Sequence, residues 1–219
     1  MSAYAPTARP KLKRNHKRGA YDRETVHAIL DAVPHCHVGY VIDGQPYVTP
    51  TLQWREGDRI YWHGSSASRM LRTVETGVPV CVTVSPLDGF VMARSAFHHS
   101  VNYRSVMAYG TAHALKGPAE KERALKAMME HLFPGRWDAL RPVTAQELKA
   151  TTVVAMEIEE AAAKVRTGPP PIDDEEDYGW DVWAGVLPTV FTKGAPVDDP
   201  RLRAGMAVPE NVTGYRWAE

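Results

Sequence analysis

The segment HCHVGYVIDGQPYVTPTLQW, residues 35–54, decides the fold. Two runs rich in β-branched and aromatic residues flank the dipeptide Asp43-Gly44, and this dipeptide between such runs is a strong signal for a tight turn joining antiparallel strands. The segment therefore predicts a β-hairpin. Further strand-like runs follow at short intervals: RIYWH, VPVCVTVS, DGFVMARSA, SVMAYGTAHAL with a break expected at Gly110, and TTVVAMEIEEA. Short antiparallel strands at this spacing predict a small β-barrel.

Three helices are expected around the barrel. The first begins at the N-cap candidate Asp22, and its apolar residues recur at i, i+3, i+4 and i+7. A short helix is expected over Ser68–Glu75, and a longer one begins with Pro118, a residue that suits the first turn. The fold class is therefore mainly β (α+β), with peripheral helices.

Composition divides the chain into three parts. Residues 1–20 are basic and poor in apolar side chains, so they predict a flexible arm. Residues 21–163 carry the barrel pattern. Residues 164–219 are rich in Pro and Gly and include the acidic run Asp173–Asp177, but they also contain Trp180 and Trp183. Tryptophans in such a tail indicate that it packs on the barrel or on a partner subunit.

Charge and cysteine usage exclude several classes of protein. The formal net charge is zero, which gives no reason to expect nucleic acid as a partner. No apolar run has the length of a membrane span, and no signal peptide is evident. Cys36 and Cys81 lie in apolar strand-like runs, as expected for free thiols in the cytoplasm.

The run HGSSASR, residues 63–69, has the parts of an anion site. A strand ends there, small and hydroxylated residues follow, and Arg69 can donate two hydrogen bonds in a fork. The alternative is that Ser68 only caps a helix and that Ser65 and Ser66 are ordinary loop residues. The run lacks the Walker pattern, and the chain lacks the GxGxxG dinucleotide fingerprint.

The histidines show no metal-binding pattern. His98-His99 lies in an irregular polar segment between two strands, and His35 and His37 share one face of a strand, but HExxH and CxxC patterns are absent. We therefore predict no metal site. Arg104, at the entry to a strand, could supply a second charged donor to a phosphate, or it could be an exposed arginine on the barrel rim.

The order of these elements resembles a known family. The chain resembles the FMN-binding split barrels related to pyridoxamine 5′-phosphate oxidase. The resemblance lies in an ordered series: a helix, the run CHVGYVIDGQPYVTPTLQW with its continuation through HGSSASR, then NYRSVMAYGTAHAL, and then a helix with EKERALKAMMEHL. The branch that it resembles includes the nitroimidazole-resistance reductases. The resemblance implies a six-stranded antiparallel split β-barrel that forms a homodimer, with FMN in clefts at the subunit interface.

The resemblance also implies which residues bind the cofactor. The segment YVTPTLQW runs along the isoalloxazine ring, and HGSSASR holds the ribityl phosphate. YRSV lies near the phosphate or the ring edge, and Trp183 covers the flavin. The cofactor-binding residues implied are Thr49, Pro50, Thr51, Leu52, His63, Ser65, Ser66, Ser68, Arg69, Arg104, Ser105 and Trp183. Relatives often have a lysine directly after this arginine, where this chain has Met70. Arg69 would therefore supply the positive charge for the phosphate alone or with Arg104.

The function implied is that of an FMN-dependent oxidoreductase. A hydride would pass from NAD(P)H through the flavin to a small acceptor such as a nitro compound or a quinone-like molecule. Because the cofactor does the redox chemistry, no catalytic side chain is obligatory, and His63 and His98 are the candidates for a proton donor. The alternatives are a flavin- or haem-binding carrier or sensor without turnover, and a deazaflavin coenzyme in the same cleft. The chain lacks the fuller set of arginines and lysines with which pyridoxamine 5′-phosphate oxidases hold the phosphate of their substrate. This argues against pyridoxamine 5′-phosphate as the substrate.

Overall fold

The computed structural model describes residues 2–74, 76–171 and 175–215. The predicted residue Glu75, part of the acidic run (Asp173 and Asp174) and the last four residues lie outside this part of the chain. The helices are α1 (Arg23–Ala32), α2 (Arg69–Val74), α3 (Pro118–Leu132), α4 (Ala145–Ala150) and α5 (Glu210–Thr213). The strands are β1 (Gly19–Ala20), β2 (His35–Ile42), β3 (Gln45–Glu56), β4 (Arg59–Ser65), β5 (Thr76–Val84), β6 (Leu87–Met92), β7 (Ser100–Ala114), β8 (Thr151–Glu157), β9 (Glu160–Arg166) and β10 (Gly185–Pro188).

Six antiparallel strands close into a barrel. They run in the order β7–β5–β2–β3–β4–β8, and β8 pairs with β7 again to complete the ring. The closed core contains apolar side chains from every side, such as Val38, Trp62, Val82, Val106 and Met156. Burial of these side chains stabilises the barrel at roughly 25 cal/mol per Å² of apolar area. The predicted mainly β split barrel is confirmed.

The hairpin that begins the barrel forms as predicted. β2 and β3 pair from His35–Leu52 to Ile42–Gln45, and the turn residues Asp43 and Gly44 both have positive φ angles. Such angles are those of the tight hairpin turn that Asp-Gly favours. Helix α1 also begins where expected, because the Asp22 side chain accepts a hydrogen bond from the Thr25 backbone N–H at 2.8 Å.

The predicted break at Gly110 is wrong, because β7 runs unbroken through this residue. Instead, β7 changes neighbours there: it pairs with β9 up to Tyr109 and with β8 from Ala112 onward. Glycine is needed at the changeover because a Cβ atom would overlap the carbonyl oxygen of Glu157. The glycine thus marks the corner at which the barrel closes.

The last strand-like run differs from the prediction of one strand. It forms two strands, β8 and β9, and β9 continues to Arg166, beyond the expected domain boundary at residue 163. Helix α4 precedes β8 and was not expected from the sequence. It begins with a capping box, in which Thr144 and Glu147 exchange hydrogen bonds between side chain and backbone.

Both ends of the chain contact the barrel. In the arm predicted to be flexible, Tyr4 is buried and its hydroxyl donates to Asp58 at 2.8 Å. β1 pairs with β9. In the C-terminal extension, β10 pairs with β6. The apolar side chains of the extension are nevertheless mostly exposed, among them Trp180, Trp183, Val190 and Phe191.

A second apolar cluster lies outside the barrel wall. Trp54, Tyr61 and Val153 point outward from β3, β4 and β8, and Leu125 and Met128 of α3 pack over them. No helix in the described part of the chain is long and apolar enough to cross a membrane. Cys36 and Cys81 are free thiols, and burial raises the pKa of Cys36 to about 12.

Candidate functional site

A cleft opens where β3 and β4 separate. Their ladder joins only Gln53–Glu56 to Arg59–Trp62. Beyond this point Thr49–Leu52 pair with β2 alone, and His63–Ser65 pair with β8 alone, in the ladders of the described residues. One backbone edge of each segment therefore faces the gap and is available to a ligand. We name this gap, between Thr49–Leu52 and His63–Ser65, the β3–β4 cleft.

The loop between β4 and α2 closes one end of the cleft. Ser65 shapes this loop, because its hydroxyl accepts from the Ala67 N–H at 3.2 Å and its carbonyl accepts from the Ser68 N–H at 2.8 Å. The Ser66 N–H donates to Ala150. Three backbone donors of the loop are thus already paired, two of them within the loop and the third with the end of α4. The hydroxyls of Ser66 and Ser68 and the guanidinium of Arg69 can meet an anion, and Arg72 brings a second guanidinium to the loop, because its Nε donates to the Ser66 carbonyl at 3.0 Å.

Arg69 reaches from the loop to β3. Its guanidinium lies over the ring of Tyr47, 4.5 Å from the ring centroid. Such a contact holds the cation in place while leaving its N–H edges able to donate. Tyr47 in turn stacks on Tyr40 at 5.6 Å, inside the end of the barrel. The structure thereby brings the HGSSASR loop next to the strand that contains Thr49–Leu52.

Residues 49–52 present two different surfaces to the cleft. Pro50 and Leu52 lie on the outward face, opposite His37 and His35 of β2. Thr49 and Thr51 alternate with them and lie toward the barrel interior, where the Thr49 hydroxyl is 3.1 Å from the Tyr40 hydroxyl. The four expected ring-side residues therefore share one backbone edge but not one side-chain face.

His63 lines the cleft beside Trp54, with ring centroids 5.9 Å apart. Burial lowers the pKa of His63, so its imidazole is neutral at pH 7. Its Nδ1 atom and the Nε1 atom of Trp54 are both buried without a hydrogen-bond partner among the described residues. Because a neutral imidazole is a weak acid, the structure favours a hydrogen-bonding role for His63 over that of a proton donor.

The other expected site residues lie on a second part of the sheet. Arg104 differs most from expectation, because its guanidinium donates to the Asp88 carboxylate at 2.9–3.2 Å. The positive charge that was expected to bind a phosphate is thus paired with a carboxylate. The Ser105 hydroxyl donates to the Lys164 carbonyl at 3.3 Å. Trp183 precedes β10, and its ring lies against Gly185, where a Cβ would be 2.7 Å from the ring.

His98 belongs to the same second part. It lies in the turn between β6 and β7, with Nδ1 3.0 Å from the Ser95 hydroxyl. β6 pairs only with β7 and β10 in the described sheet, so β7 and β8 lie between it and β4 in one direction around the barrel, and β7, β5 and β2 lie between it and β3 in the other. The structure of one chain thus divides the predicted site into the cleft group and this second group.

The residues predicted for the site do not include Tyr47 and Trp54, although both belong to the segment YVTPTLQW. They lie on β3, two positions before Thr49 and two after Leu52, and their separation of seven residues places them on opposite faces of the strand. Their position in that segment was the available signal. The described residues contain no group of three or more His, Cys, Asp or Glu side chains that could hold a metal ion.

The chain is similar to several solved structures. The flavocytochrome Anf3 from Azotobacter vinelandii is 49% identical, with 97% of this chain and 99% of that chain covered at a TM-score of 0.90. A FAD- and haem-binding protein from Mycobacterium smegmatis is 36% identical, with 90% and 97% covered at a TM-score of 0.86. A Bacteroides thetaiotaomicron protein named for 5-nitroimidazole antibiotic resistance is 22% identical, with 67% and 86% covered at 0.55, and shares the fold.

No curated protein matches the chain significantly. The family model described as pyridoxamine 5′-phosphate oxidase matches residues 22–165, which include α1, the whole closed barrel, the HGSSASR loop and most of β9. This stretch is more than half of the 219 residues. The chain therefore belongs to the pyridoxamine 5′-phosphate oxidase family of split-barrel proteins.

Proposed function

We propose that the protein binds a flavin nucleotide in the β3–β4 cleft. The observation that carries the proposal is the separation of β3 from β4, which leaves the backbone edges of Thr49–Leu52 and His63–Ser65 facing a common gap. The N–H and C=O groups of such an edge match the polar rim of an isoalloxazine ring. The partnerless Nδ1 of His63 is a further hydrogen-bonding group beside this gap.

The phosphate of the flavin would lie at the loop end of the cleft. Arg69 supplies the positive charge there, and the Ser66 and Ser68 hydroxyls supply neutral donors. The contact with Tyr47 holds the guanidinium near the cleft before any ligand arrives. This preorganisation lowers the entropy that the arginine loses on binding.

The names of the relatives bear on which flavin the cleft would hold. The sequence predicts FMN, whereas the Mycobacterium smegmatis relative is named for FAD. FMN and FAD share the ribityl phosphate, so the loop suits both. We propose FAD, because that relative is similar over nine tenths of this chain. Chromatography of the flavin released by denaturation distinguishes the two.

We propose haem as a second cofactor. One relative is named as a flavocytochrome and the other for FAD and haem, and both cover at least 90% of this chain. A bound flavin accepts a hydride from a reduced nicotinamide, and haem iron accepts single electrons. The protein would then be an oxidoreductase that takes electrons from NAD(P)H and delivers them to a small acceptor, with nitro and quinone-like compounds as the acceptors to test.

The test is the absorption spectrum of the full chain as purified, followed by titration with FAD, FMN and hemin. We expect a yellow protein whose flavin absorbance is released on denaturation, and a Soret band after hemin addition. A colourless protein that takes up neither flavin would overturn the flavin proposal. Oxidation of NADH or NADPH no faster than with free flavin would leave a carrier or sensor in place of an enzyme.

We also propose that two copies pair through the outer face of β2, β3, β5 and β7. Val41, Val48 and Met107 are 57%, 67% and 47% exposed on this face. Strand pairing places them with His37 and Thr83 on one surface. Light scattering on the full chain should give the mass of a dimer, and Val48→Glu combined with Met107→Glu should give that of a monomer.

A further inference from the structure

An exposed apolar surface lies on the outward side of β6 and β10. Phe90 pairs with Leu187 of β10 and with Val101 of β7, so these three side chains share one face. Phe90 is 44% and Leu187 58% exposed. Val91, which alternates with Phe90, is fully buried, and this confirms that Phe90 points outward. We name Phe90, Met92, Val101 and Leu187 the β6–β10 face.

An exposed tryptophan borders one end of this face. Gly185 pairs with Met92, and the ring of Trp183 lies against Gly185. Phe97, in the turn that follows β6, is 91% exposed, and its ring contacts that of His98. An exposed apolar surface with an aromatic ring at its end can pack against a large planar ligand.

His99 lies at the same end. It directly precedes Ser100, which pairs with Val91 of β6. Because the two strands are antiparallel, His99 lies next to the end of β6 that contains Met92. Its Nδ1 atom is 3.0 Å from the backbone carbonyl oxygen of Ser95. Because a carbonyl oxygen can only accept, Nδ1 must carry the proton, and the neutral ring then has its lone pair on Nε2. Histidines that ligate metals are oriented by such a hydrogen bond from the other ring nitrogen.

Four other histidines lack this combination. The His27 ring is bonded to the N-terminal segment and sits beside Asp58. The His98 ring faces the Ser95 hydroxyl, which can donate or accept and does not set the tautomer. His35 and His37 are exposed, and their rings contact each other edge to face, with centroids 5.3 Å apart.

We propose that His99 is an axial ligand of haem through Nε2 and that the β6–β10 face supports one side of the macrocycle. This assignment rests on the proposed haem function. Trp183, whose ring lies against Gly185 beside Met92, would border the ligand, and Arg94, two residues beyond Met92, would bring a positive charge to the same end of the face. The guanidinium of Arg94 lies 4.8 Å from the centroid of the Tyr178 ring, in the same region.

The test is titration of the flavin-loaded full chain with hemin, followed by absorption and resonance Raman spectra. We expect His99→Ala to lose the histidine-ligated Soret spectrum and to bind hemin at least tenfold more weakly. Imidazole added to His99→Gly should restore the ligated spectrum. His98→Ala and His113→Ala are the matched controls, and both should keep the wild-type spectrum.

A second variant tests the supporting surface. Leu187→Lys changes a side chain that is already 58% exposed, so the fold should persist. It should weaken hemin binding about fivefold without changing the ligation spectrum. Val197→Lys, in the tail and 94% exposed, should change neither the affinity for hemin nor the spectrum. If the wild-type chain binds no hemin, the haem function and this assignment both fail. If it binds hemin and His99→Ala keeps the spectrum, only the assignment is wrong.

Discussion

Gly110 of β7 lies directly against the backbone carbonyl of Glu157, with Met156 beside it. A Cβ on Gly110 would overlap the carbonyl oxygen and lie 2.8 Å from Met156 Cγ. Both neighbours are held by strand pairing, Met156 with Ile60 and Ala112, so neither can move aside without opening the barrel corner. The close approach of these two backbones is what allows β7 to change partners.

Gly110→Ala should therefore lower the free energy of unfolding by about 3 kcal/mol, the upper end for overpacking, or prevent folding. Gly194→Ala, in the exposed C-terminal extension, is the control, because a Cβ there meets nothing within 4 Å. Thermal denaturation of the two variants measures the difference. Equal melting temperatures would show that the barrel corner tolerates a methyl group.

Arg69→Ala should weaken flavin binding. The loss of one charged donor to a phosphate costs about 1.5–3 kcal/mol, or roughly a 10- to 150-fold rise in Kd. Flavin titration by fluorescence quenching measures the constant. Arg69→Lys should keep part of the affinity, and Arg14→Ala, on the exposed N-terminal segment, should keep all of it. Unchanged affinity in Arg69→Ala would remove this residue from the site.

Gln53 ties helix α1 to the barrel. Its buried amide donates to the carbonyls of Leu30 and Val33, at 2.7 and 2.9 Å, near the end of α1. Gln53→Met keeps the volume but leaves both carbonyls without this donor, which should cost about 1–3 kcal/mol. Urea denaturation measures the loss, with Gln45→Met at the exposed hairpin turn as the control. A midpoint equal to that of Gln45→Met would argue against the role of the amide.

The capping box of α4 should make stability depend on pH in acid. The hydrogen bond from Arg141, followed by those from Thr144, lowers the pKa of Glu147 from 4.5 to about 2. Because the pKa of Glu147 is lower in the folded than in the unfolded chain, the ionised carboxylate stabilises the fold. This stabilisation is fully present above pH 4.5, the pKa in the unfolded chain, and is lost as the pH falls toward 2.

Glu147→Gln should accordingly be less stable than the wild type at pH 6, and the difference should shrink toward pH 2. Denaturation midpoints across this range measure it, with Glu122→Gln on α3 as the control for the loss of one surface charge. A difference that stays constant from pH 6 to pH 2 would contradict the ionic origin of the effect.

The local elements could be predicted from the sequence. Asp-Gly between two β-rich runs specified the hairpin, Asp22 the start of α1 and Pro118 the start of α3, because turn and cap preferences act over a few residues. The ordered series of these elements was also sufficient to indicate the family. The HGSSASR loop could be identified as an anion-site candidate for the same reason, since its residue types are adjacent in the chain.

The contacts between distant segments became known from the three-dimensional structure alone. It placed Arg69 over Tyr47, paired Arg104 with Asp88, and separated β3 from β4 to form the cleft. It also showed that Gly110 is a corner rather than a break, and that Ser95 sets the tautomer of His99. These contacts depend on the register between strands and on the paths of the turns. Residue type and periodicity do not specify the register or these paths, because pairing across the barrel depends on the packing of the whole core.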